Sequence, residues 1–226
     1  MAIDFVFDLE TFGNQPDSAV IDLSIITFNS DPTIVESFED LVKRGLRIKF
    51  DLASQKGKRV FYKSTVEWWK GQSQEAKKNL ARSPQDVSIN EGLDILKEYL
   101  DSQGIDFWKS QGYSRGMSFD FPILKHMITQ RELDSGVKLE DIDTFKKEFI
   151  VFWNQNDTRT SIRKLLLDRD MTMCPIRKGV LNGFVLHDSI HDCAKDIIML
   201  KTAERYALGL EEVPDEQDID PVSIKK

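Results

Sequence analysis

The sequence predicts an α/β domain, a mixed sheet whose first strands run antiparallel and whose faces are covered by helices. Three observations lead there. β-rich runs crowd the start of the chain, helical and strand signals alternate after them, and the candidate acids fall at strand ends and helix starts, where such folds gather their sites. The 226 residues suffice for one substantial core. Residues 1–210 are therefore expected to form a single domain, and the acidic residues 211–226 a mobile tail.

Residues 3–8 alternate apolar and acidic side chains and run into Thr11-Phe12-Gly13, the pattern of a strand ending in a turn. Residues 20–28 form a second β-rich run and 34–42 a third, with 46–50 extending the meander. Helical signals follow. Ser64-Thr65-Val66-Glu67 and Ser88-Ile89-Asn90-Glu91 both have capping-box spacing, a hydroxyl at the helix start and an acid three residues on. The first helix carries Trp68 and Trp69; the second runs toward Gly104, a good terminator. Residues 112–115 read as a short buried strand, and 118–132 as a helix with Pro122 tolerated in its first turn. Residues 149–153 read as a further strand, Asp157 as the cap of a short helix over 158–167, and 168–184 as a loop. From Ser189 to Ala207 apolar positions recur at helical spacing, so a long amphipathic helix closes the domain. No internal repeat is present, and no feature of the sequence sets an oligomeric state.

The apolar fraction of 40% and charged fraction of 31% are those of a globular protein. The chain enters directly into an alternating run without a basic leader or cleavage site, and no stretch is long enough to cross a bilayer, so a cytoplasmic setting without membrane contact is expected. Cys174 and Cys193 are far apart and lack CxxC spacing, which supports neither a disulfide framework nor a thiolate zinc site. The net charge of −7 argues against holding DNA by bulk electrostatics. Residues 43–63 run against that trend: Lys43, Arg44, Arg47, Lys49, Lys56, Lys58, Arg59 and Lys63 face the single acid Asp51. This segment is either a source of phosphate contacts or a solvated face.

Asp8 and Glu10, one residue apart on a strand, share a face, roughly 7 Å apart at Cα. Two carboxylates so placed repel unless a cation lies between them, and hard ions such as Mg²⁺ or Mn²⁺ suit that donor set. The pair alone is weak, because many strand ends carry solvated acids. Asp120 stands in the apolar stretch 116–124 and is either a helix cap or a ligand. His187 and Asp192 are five positions apart across a helix start. Asp192, beside the apolar side of its helix, needs a cationic partner, since an unpaired carboxylate at a core edge is costly.

The ordered set Asp-x-Glu-Thr, an isolated Phe-Asp and His-x-x-x-x-Asp resembles the DEDDh branch of the DnaQ-like 3′→5′ exonucleases. The match lies at Asp8, Glu10 and Thr11, at Asp120 within Ser118-Phe119-Asp120, and at His187 and Asp192. In finer detail, the segments 64–69 and 116–122 resemble the exonuclease A branch of T-even-like phages. The resemblance implies a ribonuclease-H-like fold and release of nucleoside 5′-monophosphates from the 3′ end of DNA, with single strands preferred. It implies that Asp8, Glu10, Asp120 and Asp192 hold two divalent ions, Mg²⁺ or Mn²⁺, and that His187 is the general base. The long stretch between the first two motifs, with its basic segment and Trp pair, departs from compact family members.

Thr11 and Phe12, just beyond the acid pair, are expected to contact the terminal sugar and base, with Ser118 beside the second motif. Phe12, Trp68, Trp69 and Phe121 are candidates for stacking on a base, core packing being the expected fate of at least two of them. His191 is expected to pack or to bond behind the site, and His126 to be ordinary core or surface. An exoribonuclease of the oligoribonuclease or RNase T sort shares the same five residues, so RNA is the alternative substrate. An aspartyl-phosphate phosphatase wants a second Asp where Glu10 stands, and a binding module that has lost its chemistry usually lacks one of the carboxylates retained here.

Overall fold

A five-stranded sheet of order β3-β2-β1-β4-β5 organises the chain. Its strands are β1 (Ile3–Thr11), β2 (Val20–Asn29), β3 (Leu46–Lys49), β4 (Gly112–Ser114) and β5 (Gln155–Asp157). β1, β2 and β3 pair antiparallel, whereas β4 joins β1, and β5 joins β4, in parallel. The helices are α1 (Phe38–Arg44), α2 (Lys63–Lys70), α3 (Gln74–Lys78), α4 (Ile89–Ser102), α5 (Asp120–Asp134), α6 (Thr158–Leu166), α7 (Ser189–Ala207) and α8 (Pro221–Ile224). This computed structural model describes residues 2–78 and 81–224. The α/β architecture expected from the sequence is present: a mixed sheet whose first strands run antiparallel, flanked by helices.

Two apolar cores flank the sheet. Phe5, Phe7 and Leu9 of β1 pack with Leu93 and Leu96 of α4 and Ile123, Met127 and Ile128 of α5. Val6 and Ile26 face the other way, against Leu41 of α1, Ile162 of α6 and Cys193, Ile197 and Ala203 of α7. α7 lies directly on the central strands, which explains why both of its sides are apolar or paired. Cys174 and Cys193 are free and buried, as expected.

Four expectations require correction. Residues 34–42 are not a strand: Ser37 accepts from the Asp40 amide and opens α1, with Glu39 and Asp40 in its first turn and Lys43 and Arg44 in its last, signals that favour a helix. Residues 149–153 do not pair in the sheet, because the Val151 amide donates to the Phe107 carbonyl and a 3₁₀ turn follows, so β5 starts later. The Ser64 box does not form, since α2 begins at Lys63 behind Tyr62, whereas the Ser88 box is complete. The acidic C-terminal segment folds back on the body. Asp220 donates its amide to the Ile176 carbonyl, the Ser223 hydroxyl accepts from the Ile176 amide, and Ser223 is buried. Residues 225 and 226, the end of the expected tail, lie outside the described residues.

Candidate active site

Alternation on β1 decides which way its acids face. Phe5, Phe7 and Leu9 enter the core beneath α4 and α5, so Asp8 and Glu10, with the parity of Val6, lie on the α7 side. The β1–β2 register shifts between Glu10 and Thr11, just beyond the pair. From the opposite layer, α5 begins at Asp120. Phe119 precedes it without a side-chain cap, and Asp120 Oδ1 instead accepts the Leu9 amide at 3.2 Å. Of the two open readings of Asp120, the cap is thereby excluded. Its carboxyl is fastened to the backbone between Asp8 and Glu10, 111 positions away in sequence.

α7 brings the third motif. Asp188 caps the helix by accepting the His191 amide, and His187 precedes it at φ 61°. That left-handed conformation costs a residue with a Cβ on the order of 1 kcal/mol, the kind of strain that clusters at functional sites. The His187 ring meets the Trp68 ring edge-on at 4.9 Å. One ring nitrogen of His187 and one carboxylate oxygen each from Glu10 and Asp192 lie within 4.8 Å of one another.

The electrostatics are those of an acid cluster short of positive charge. Burial, then Glu10, Asp120, Asp192 and Asp196 in turn, push the Asp8 carboxyl well above its usual range. Burial and Asp22, its partner across the β1–β2 ladder, do the same to Glu10. Burial raises Asp120 to about 7 against the pull of the Leu9 amide. Burial also raises Asp192, opposed by Lys195, whose ammonium lies 2.9 Å away. The cationic partner expected for Asp192 is thus Lys195, three residues along. His187 is held below its ordinary value by burial. Four carboxylates and an imidazole gathered in this way make an oxygen-rich donor set that fits a hard divalent cation.

All five signature residues line one open cleft of about 810 Å³. Thr11 and Trp68 join them, while Phe12, Ser118, Phe121 and Trp69 are not on its wall. Phe12 packs against Phe61, Phe121 lies edge-on to Phe7 in the core, and Ser118 is exposed elsewhere. The tryptophans divide cleanly. Trp69 is 3% exposed and donates its indole N–H to the Thr11 carbonyl, whereas Trp68 is 44% exposed at the cleft. His191 accepts the Val185 amide and lies edge-on to Phe38, the supporting role expected of it.

No member of the basic segment 43–63 lines the cleft. Arg44 pairs with Glu36, Arg47 with Asp188, Lys49 with Asp86 and Lys58 with Asp134, while buried Arg59 donates to the Ser18 and Pro16 carbonyls. The cations on the cleft wall are instead Arg115, Arg159 and Lys195. The sequence reading missed all three, although each stands within a few residues of a motif acid or a helix cap.

The family model described as the 3′-5′ exoribonuclease Rv2179c-like domain matches residues 4–202. The chain belongs to this family. It is 57% identical over 221 residues to an exodeoxyribonuclease of Enterobacteria phage T4, covering 98% of this chain and 97% of that one. This bears out the placement among DnaQ-like exonucleases of the T-even phage branch. Among solved structures, exonuclease I from Methylocaldum szegediense superposes with a TM-score of 0.54 at 14% identity, over 91% of this chain and 41% of the other. E. coli exonuclease I in complex with a dA16 oligonucleotide gives a TM-score of 0.51 at 12% identity, over 93% and 43%. The present chain spans under half the length of those two enzymes, and the likeness is one of fold. No helix among the described residues is long and apolar enough to cross a membrane.

Proposed function

We propose that the protein is a metal-dependent 3′→5′ exonuclease that degrades single-stranded DNA to nucleoside 5′-monophosphates. The observation that carries this reading is the convergence of Asp120 and Asp192 on the Asp8–Glu10 pair in one open cleft. Asp8, Glu10, Asp120 and Asp192 would hold two divalent ions, Mg²⁺ or Mn²⁺. Bound there, the ions supply positive charge that stabilises the attacking and leaving oxygens of the phosphoryl centre.

His187 is the general base. Two observations support this role, in which it takes a proton from water as the oxygen attacks phosphorus: burial favours its neutral form, and one ring nitrogen lies within 4.8 Å of the Glu10 and Asp192 carboxylates. The bond to the 3′ oxygen of the preceding nucleotide breaks, that oxygen takes a proton from solvent water, and His187 gives its own proton back to solvent. Trp68 walls one side of the His187 ring, and its exposed face is available to stack on the terminal base. Thr11, on the cleft floor with its hydroxyl donating to the Gly13 carbonyl, is fixed for contact with the terminal sugar.

The phage relative's activity supports DNA as substrate, while the family description supports RNA as the second reading. Matched single-stranded DNA and RNA oligomers, labelled at either end and incubated with Mg²⁺ or with EDTA, test both. Mononucleotides released from the 3′ end of DNA, only with metal, are expected. Cleavage that persists in EDTA, or that proceeds from the 5′ end, overturns the reading; RNA cleaved faster than DNA shifts it to the exoribonuclease.

A further inference from the structure

We infer that Arg159 binds a backbone phosphate of the substrate strand on the 5′ side of the linkage being cut. The inference rests on the exonuclease reading above and names the group that holds the rest of the strand. Of the three cations on the cleft wall, two are already engaged. Lys195 is buried against Asp192 and over the Phe184 ring. Arg115 pairs with buried Asp196 at 2.6 Å and donates to the Thr172 carbonyl.

Arg159 differs. It is exposed and has no acidic partner within ion-pair distance among the described residues. Its Nη1 donates to the Arg115 carbonyl at 2.8 Å, which anchors one corner of the guanidinium. A guanidinium has five donors in a flat fork suited to phosphate oxygens, so most remain available at the cleft. The seat is built by the backbone. Gly116 turns the chain at φ 128°, a conformation that favours glycine, and Asp157 fixes the start of α6 by accepting from the Thr160 amide while receiving the Met117 amide. The loop that seats Arg159 therefore runs on directly into Asp120. A strand entering the cleft brings one negative charge per linkage; the carboxylate-held cations answer the phosphate at the cut, and Arg159 is the uncommitted cation on the wall for another.

Binding of a 5′-fluorescent oligothymidylate to the full chain, with Ca²⁺ in place of Mg²⁺, tests this by anisotropy across a salt series. Arg159→Ala is expected to weaken binding on the order of 10-fold and to lower the slope of log K against log salt by about 0.7, the loss of one single-strand phosphate contact. Arg159→Lys is expected to keep most of the slope. Lys43→Glu and Lys56→Glu, off the cleft, are expected to leave it unchanged. A methylphosphonate moved along the first linkages is expected to weaken wild type at one position where Arg159→Ala is indifferent. An unchanged slope in Arg159→Ala, or equal flattening by the off-cleft variants, overturns the assignment. Metal-dependent release of mononucleotides by the wild type, run in parallel, reports on the exonuclease reading separately.

Discussion

Replacing Asp120 by Asn is expected to stabilise the metal-free protein while abolishing its nuclease activity. The carboxyl is buried, and burial holds its proton up to about 7 against an ordinary 3.8, with the Leu9 amide pulling the other way. An acid raised on folding is protonated in both states below its ordinary value and adds no pH dependence there. As pH climbs from 3.8 to about 7, the unfolded chain gives up its proton first, so folded stability falls across that window. At ~1.4 kcal/mol per pH unit, the whole window amounts to roughly 4 kcal/mol of lost stability by neutral pH. Asn keeps an oxygen for the Leu9 amide and carries no charge. With the neighbouring acids still in place, about 2 kcal/mol or more is expected to return, or roughly 4–8 °C in Tm for a chain of this length. Thermal unfolding of both proteins in EDTA, from about pH 4 to about pH 8, is the assay. The wild type is expected to lose stability with rising pH more steeply than the variant, and Mg²⁺ at the upper end to raise the wild type more. Should D120N unfold at or below the wild-type temperature in EDTA at the upper pH, the argument from accumulated charge is refuted.

His187→Ala is expected to lower kcat by ~10²–10⁴-fold while keeping the rise in Tm that Mg²⁺ confers, as read by single-turnover digestion beside thermal scans. Trp68→Ala is expected to weaken oligonucleotide binding by roughly 5- to 100-fold, the worth of one stacked base, with little change in Tm. Trp69→Ala, in contrast, is expected to cost about 3–5 kcal/mol in urea unfolding, because the ring is buried and its N–H bonded. Ser88→Ala is expected to cost about 1 kcal/mol in the same measurement, by removing the cap of α4, and to leave activity intact.

Signals that depend on local period or on a single hydrogen-bonding motif carried through to the structure. β1 with its paired acids, the Ser88 box, the Asp157 cap and α7 all formed as the sequence implied. Errors arose where composition and partner competed. Ile34 and Val35 favour a strand, yet both are exposed and no strand among the described residues pairs with them, so the Ser37 cap prevailed. In the apolar run 149–153, read as a strand, only Ile150 and Val151 are buried, and the Val151 amide is directed to the loop at Phe107 rather than to a strand. Aromatics were the least legible. Whether a ring stacks on substrate or fills a core depends on which face of its element meets the sheet, and one position in α2 separates buried Trp69 from exposed Trp68. The basic segment stayed open between two readings for a related reason: its charges are local in sequence, but their partners, from Glu36 to Asp188, are not.

The chain's own cations compensate the acid cluster unevenly, and that unevenness bears on why the acids are there at all. On α7, Asp192 has Lys195 and Asp196 has Arg115, two short ion pairs of the kind that make a buried carboxylate tolerable. On β1 and α5 the balance is different. Asp120 has a backbone amide, and Glu10 faces Asp22, itself pushed up to about 6 by burial despite Arg47 and the Ser189 hydroxyl. A fold selected only for stability gains nothing from gathering Asp8, Glu10 and Asp120 without countercharge, since burial disfavours the charged form of each and raises its carboxyl above the ordinary value. The deficit falls on the side chains of the first two motifs, which line the open cleft, where a cation from solution can enter. Metal dependence accounts for that placement, whereas a purely structural role for these carboxylates leaves it without a physical cause.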